Sequence, residues 1–181
     1  MLSFPLPLRR LVVAVLVCAA LLAGTTACGS DDKDASATPT SSAERQKFAK
    51  TRFVANASIA AGATYQWIVK PWRAGKFKSD AGGRKVALVK AGLAGALTYN
   101  RLKAAVKNAE GDPLLAKAVA PLAAGIDSLK DLPGKLRKGD GVDSVASSFD
   151  DIINNVKDAG KNAGAEVTNK VPSAAELAKG S

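Results

Sequence analysis

The chain has 181 residues, with 26 Lys+Arg against 16 Asp+Glu for a formal net charge of +10, two cysteines and no histidine. The missing histidine excludes His-based acid/base catalysis, His-paired nucleophiles and His-ligated zinc. The charge is uneven. Residues 28–44 and 139–181 each carry −3, whereas residues 45–138 hold 19 basic and 5 acidic groups for +14. A cationic body of this kind attracts anionic partners over long range.

The chain opens with Arg9-Arg10, an apolar run from Leu11 to Ala23, and small residues leading to Ala27-Cys28. A basic start, a short apolar stretch and a small-residue exit are the parts of a secretion signal. The run falls short of the ~20 residues a membrane-spanning helix needs. Leu22-Ala23-Gly24-Thr25-Thr26-Ala27-Cys28 resembles a bacterial lipobox, with Ala27 before the cysteine and Thr25 where the family usually has Leu. The resemblance implies that a diacylglyceryl group is joined to Cys28 and that cleavage removes residues 1–27. Two acyl chains anchor stably where one binds only marginally, so the implied location is the outer face of a membrane. The alternatives are ordinary cleavage after Ala27, giving a free secreted protein, and an uncleaved anchor. Cys18 leaves with the signal, so a cleaved chain keeps Cys28 alone and has no partner thiol for a disulfide. Residues 28–41 are polar and read as a flexible tether.

Residues 42–162 read as a small antiparallel bundle of about four helices, all-α and Ala-rich. Ser41-Ser42-Ala43-Glu44 is a capping box. The helix it opens carries Phe48, Thr51, Ala55, Ile59, Gly62 and Gln66 on one face and Phe53, Ala57, Ala60, Thr64, Trp67 and Ile68 on a neighbouring face. Pro71 should end or kink this helix and push Lys70 away from α geometry. A second helix runs from about Arg84 to Ala109, with Val86, Leu93, Leu97 and Ala104 on one face and ladders of small residues at Ala87, Ala91, Gly95 and at Gly92, Ala96. Asp112-Pro113 restarts the chain as N-cap and first helical position. Leu115, Leu122, Leu129 and Leu136 then recur every seven residues, with Val119 and Ile126 between them, across expected breaks at Pro121 and Pro133-Gly134. Val142, Val145, Phe149, Ile152 and Val156 make a fourth stripe. Residues 163–181 show no strand-like alternation and read as a loosely held tail, with a short helix possible after the Ser173…Glu176 capping box.

The most distinctive segment is the connector 70–85. Lys70, Arg73, Lys76, Lys78, Arg84 and Lys85 surround two aromatics, Trp72 and Phe77, with Asp80 alone opposing them. Aromatics that insert at a headgroup interface beside lysines and arginines on phosphate are a membrane-surface arrangement; the plainer reading, and the favoured one, is a loop whose aromatics cap the bundle and whose charges are solvated. The connector and the run from Phe53 to Phe77 resemble segments of small secreted actinobacterial proteins of uncharacterised activity, a likeness that implies no residue roles. Arg101, Lys103 and Lys107 extend the basic surface. Asp140, Asp143, Asp150 and Asp151 lack calcium-loop spacing and suit helix starts. Tyr65, Trp67 and Tyr99 could line a pocket between helices.

The expectation is a non-enzymatic, membrane-anchored extracytoplasmic lipoprotein without cofactor or metal. Its basic surface would bind an anionic lipid headgroup, wall polymer or acidic protein, and not nucleic acid, for which no recognition motif is present. The alternatives are a protein-interaction module using an exposed Leu/Val stripe on the third or fourth helix, and a small-ligand carrier.

Overall fold

Helix formation begins at the expected capping box. Ser41 Oγ accepts from the Glu44 N–H at 3.1 Å, and Glu44 Oε2 accepts from the Ser41 N–H at 3.0 Å. The computed structural model describes residues 41–180. The signal (1–27), Cys28 and the tether up to residue 40 lie outside the described residues.

The elements are α1 (Ser42–Thr64), one π-helical turn (Tyr65–Val69), α2 (Lys70–Arg73), α3 (Arg84–Ala109), α4 (Pro113–Val119), a 3-10 turn (Ala120–Leu122), α5 (Ala123–Ser128), α6 (Leu132–Lys138), α7 (Val142–Asn162) and α8 (Ala174–Gly180). Among the described residues there is no strand. The fold is an antiparallel all-α bundle of four layers: α1–α2, α3, the broken rod α4–α6, and α7. Asn56 meets Arg101 and Trp67 meets Lys90, so α1 and α3 run in opposite directions. Lys103 meets Asp127 and Gly92 lies against Arg137, which sets the rod antiparallel to α3. Lys50 reaches Ala163 and Arg73 reaches Asp150, which sets α7 antiparallel to α1–α2.

Asp112 caps α4 as its position before Pro113 implies, accepting from the Leu115 N–H at 2.8 Å. Pro121 breaks the rod through the 3-10 turn, and Pro133 sits in the first turn of α6 rather than at a helix end. The apolar stripe survives both breaks, with Leu115, Val119, Ile126, Leu129 and Leu136 at most 2% exposed. Val145, Phe149 and Val156 are likewise buried, while Val142 and Ile152 of that stripe are half-buried and Ile153 takes the inward place. The Leu/Val stripes of the third and fourth layers therefore face inward.

In α1 one of the two faces read from the sequence is buried, with Phe53, Ala57, Ala60 and Thr64, while Phe48, Thr51 and Ala55 of the other face solvent. α3 departs further from the sequence reading. In α3, Val86 and Val89 are 60% and 50% exposed, and the buried set is Leu88, Ala91, Ala94, Leu97 and Leu102. α3 is wedged between neighbours, and small residues fit those contacts more closely than the valines: Gly95 lies against Phe149 and Pro133.

The segment expected to be a loose tail is instead a strap laid over the bundle. Ala163, Ala165 and Val167 point inward, alternating with exposed Gly164, Glu166 and Thr168, and Pro172 and Leu177 are buried. The strap bonds to α1 at both ends of its crossing: the Ala163 carbonyl accepts from Lys50 Nζ at 2.9 Å, Ser58 Oγ accepts from the Thr168 N–H at 3.1 Å, and Ser58 O accepts from the Lys170 N–H at 2.9 Å. Its backbone at Lys170 crosses α1 directly over Gly62, where a Cβ would overlap the Lys170 carbonyl. Its second capping box forms as expected, the Ser173 N–H donating to Glu176 Oε2 at 2.7 Å.

The core lies wholly within the compact unit Pro39–Ser181, which therefore suffices for solution experiments. In that unit, Gly62→Ala should cost about 1–3 kcal/mol through overpacking against the strap. Gly134→Ala, where a Cβ meets nothing within 4 Å, should be neutral or stabilise by up to ~1 kcal/mol. Urea melts of the two variants measure the difference; equal midpoints would mean that the strap does not lie on α1.

Candidate functional site

The site begins with a proline placed inside a helix. Pro71 lacks an N–H, and its ring would collide with the carbonyl four residues back in regular α geometry. The helix does not end there. Lys70 stays helical at φ −62°, ψ −48°, and its N–H donates to Tyr65 O, the five-residue spacing of a π turn. The wider turn gives the pyrrolidine ring room. It also sets the bearing of Trp67, whose indole Nε1–H donates to Pro172 O of the strap at 3.3 Å.

The connector 74–83 then loops back to α3, and its predicted binding residues divide into two groups. Four are structural. Phe77, expected as an inserting aromatic, is 5% exposed and belongs to the core. Its carbonyl accepts from Arg84 Nε at 2.8 Å, which closes the loop. Trp72 is half-buried, and its Nε1–H donates to Asp143 Oδ1 at 2.6 Å. Arg73 pairs with Asp150 at 2.8 Å, though its side chain remains 63% exposed. Such a pair is worth at most ~1 kcal/mol. The aromatics thus cap the bundle, and the acidic residues of α7 act as receivers for the connector. The remaining four, Lys70, Lys76, Lys78 and Lys85, are exposed and take part in none of the described ion pairs.

Lys70 and Lys76 flank a groove of about 590 Å³ between the end of α1 and the start of α3. Trp67, Pro71, Val86 and Ala87 form its apolar floor, and Gly82 and Gly83 lie on its rim. A third lysine joins them: the Lys90 ammonium sits 5.3 Å from the Trp67 ring centroid, within cation–π range. No aspartate or glutamate lines the groove. The sequence reading sets Trp67 among possible pocket residues but Val86 on the same face as Leu93 and Leu97. The missed signal is spacing: Val86, Val89 and Lys90 lie three and four residues apart, on one side of a helix.

Of the other basic candidates, Lys107 is exposed, and Arg101 and Lys103 are engaged elsewhere. Arg101 donates to Asn56 Oδ1 at 3.2 Å. Lys103 is bound to Asp127 at 2.8 Å, and this hydrogen bond raises its pKa above the usual lysine value. Arg101 also lines a smaller recess of about 250 Å³ beside α8, which brings its own carboxylate, Glu176. Tyr65 is 45% exposed and Tyr99 half-buried, and neither lines the groove. Among the described residues no group of three or more Asp, Glu, Cys or His could hold a metal ion, and no helix is long and apolar enough to cross a membrane. Comparison with protein-family models, curated proteins and solved structures found no match.

Phe77→Ala should destabilise the Pro39–Ser181 unit by about 3–5 kcal/mol, the usual cost of emptying a buried phenylalanine site. Lys78→Ala should shift the midpoint by less than ~0.5 kcal/mol, as exposed positions do. Equal stability of the two variants in thermal melts would return Phe77 to the surface.

Proposed function

We propose that the protein is an extracytoplasmic lipoprotein, tethered to the outer face of a membrane by lipidated Cys28, whose body binds an anionic component of the cell envelope. The observation that carries the binding reading is the convergence of Lys70, Lys76 and Lys90 on an apolar floor without a carboxylate among them. A cation near an anionic surface is worth ~1 kcal/mol, so three together supply a binding free energy that salt removes once the Debye length drops below ~10 Å. The lipobox resemblance supports the location, and the polar run from Gly29 to Thr40 would give the body reach. The partner-docking alternative requires a free Leu/Val stripe on the third or fourth layer, and both stripes are buried.

The Pro39–Ser181 unit should bind anionic vesicles at low salt and release them at high salt, while neutral vesicles stay unbound. The triple variant Lys70→Gln, Lys76→Gln, Lys90→Gln should weaken that binding by roughly a hundredfold, three cations at ~1 kcal/mol each. Equal and salt-insensitive sedimentation with both vesicle types would sink the binding reading. The anchor has its own test in the full chain: Cys28→Ala should move the protein from the membrane fraction to the soluble or secreted fraction. A variant as firmly bound as the parent would overturn lipidation.

A further inference from the structure

We infer that the groove takes one single-chain anionic amphiphile, with its tail along Trp67, Pro71 and Val86 and its headgroup among Lys70, Lys76 and Lys90. This rests on the binding reading above and narrows its ligand. The concavity of about 590 Å³ falls within the ~300–1,000 Å³ usual for small-molecule sites. The chemistry of the walls is divided in the same way as the ligand: an apolar floor, three cations and no carboxylate. A polymer of phosphates would leave the floor wet, and a neutral lipid would leave the lysines without a counter-charge.

Exposure points the same way. Val86 is 60% exposed, and it stands beside Trp67 and Pro71 rather than as an isolated surface side chain, so the apolar area is contiguous. The floor is also held in place before any ligand arrives. Trp67 is fixed on one side by its hydrogen bond to Pro172 O and on the other by the Lys90 ammonium over its ring. A rigid aromatic wall loses little entropy on binding.

The test is calorimetric titration of the Pro39–Ser181 unit with dodecyl phosphate below its micelle concentration, with dodecyl maltoside and with inorganic phosphate. Dodecyl phosphate should bind at least about tenfold more tightly than either of the others, the first control lacking the charge and the second the tail. Gly82→Trp should weaken dodecyl phosphate by about tenfold or more with an unchanged melting midpoint, because a side chain there enters open space at the rim. Lys76→Gln with Lys90→Gln should abolish the preference for the anionic headgroup. Equal affinity for the phosphate and maltoside amphiphiles, or a Gly82→Trp variant that binds as the parent does, overturns the inference. If Gly82→Trp and parent also share salt-sensitive binding to anionic vesicles, the groove is wrong and the basic-surface reading stands. If dodecyl phosphate binds as expected while vesicle binding is insensitive to salt, the groove stands and the surface reading falls.

Discussion

Alanine sets the constraint under which this fold holds together. α1 and α3 form the most extensive helix pair and contribute Ala57, Ala60, Ala61, Ala63, Ala91, Ala94 and Ala105 to the core. Each removes little apolar area from water, and the hydrophobic gain scales with that area at roughly 25 cal/mol per Å². Close approach of the helices supplies dispersion contacts that large side chains would otherwise provide. Close approach also leaves polar atoms no access to water, so they must satisfy one another. Thr64 and Thr98 do so at 3.0 Å, and no buried side-chain polar atom among the described residues lacks a partner. The strap is the other half of this solution. It covers a thin core from outside with Ala165, Val167 and Leu177, and α1 admits it only because residue 62 is glycine.

Fold and site meet at Pro71. A proline one turn earlier or later would have moved the π turn and with it the indole of Trp67. With Pro71 where it is, Trp67 stands between α3 and the strap, bonded to Pro172 O and covered by Lys90. The groove is therefore the gap left where a widened helix, a looping connector and the start of α3 fail to close on one another. Each of those features serves stability in its own right, and the concavity is their joint consequence.

The architecture was legible in the sequence where the signal was local or strongly periodic. The capping boxes at Ser41 and Ser173, the Asp112-Pro113 start and the bounds of α3 depend on neighbouring residues alone, and the heptad from Leu115 to Leu136 repeats often enough to survive two prolines. Three things were not legible, each for a physical reason. The strap alternates over only six residues, Ala163 to Thr168, and carries two alanines and one valine as its inward set; its order comes from Ser58 and Gly62, more than a hundred residues away. The role of Phe77 depends on Arg84 closing the loop over it, and a connector's composition cannot report a closure. The outward turn of Val86 depends on which of three neighbours α3 packs against, and valine at helical spacing reads as core until those neighbours are known.

Charge adds the last constraint, and it explains why the groove, rather than the connector as a whole, is the place to look for a ligand. Residues 45–138 carry 19 basic groups against 5 acidic ones, so most cations there cannot be neutralised from within. The described ion pairs use Asp112, Asp127 and Asp150 to hold Lys50, Lys103 and Arg73, and Asp143 receives Trp72. These carboxylates lie on the capped start of α4, on α5 and on α7. None lies where α1 meets the start of α3. An isolated exposed lysine is solvated at little cost, and Lys78 and Lys85 need no further account. Lys70, Lys76 and Lys90 differ because they share one concavity with an apolar floor and no carboxylate.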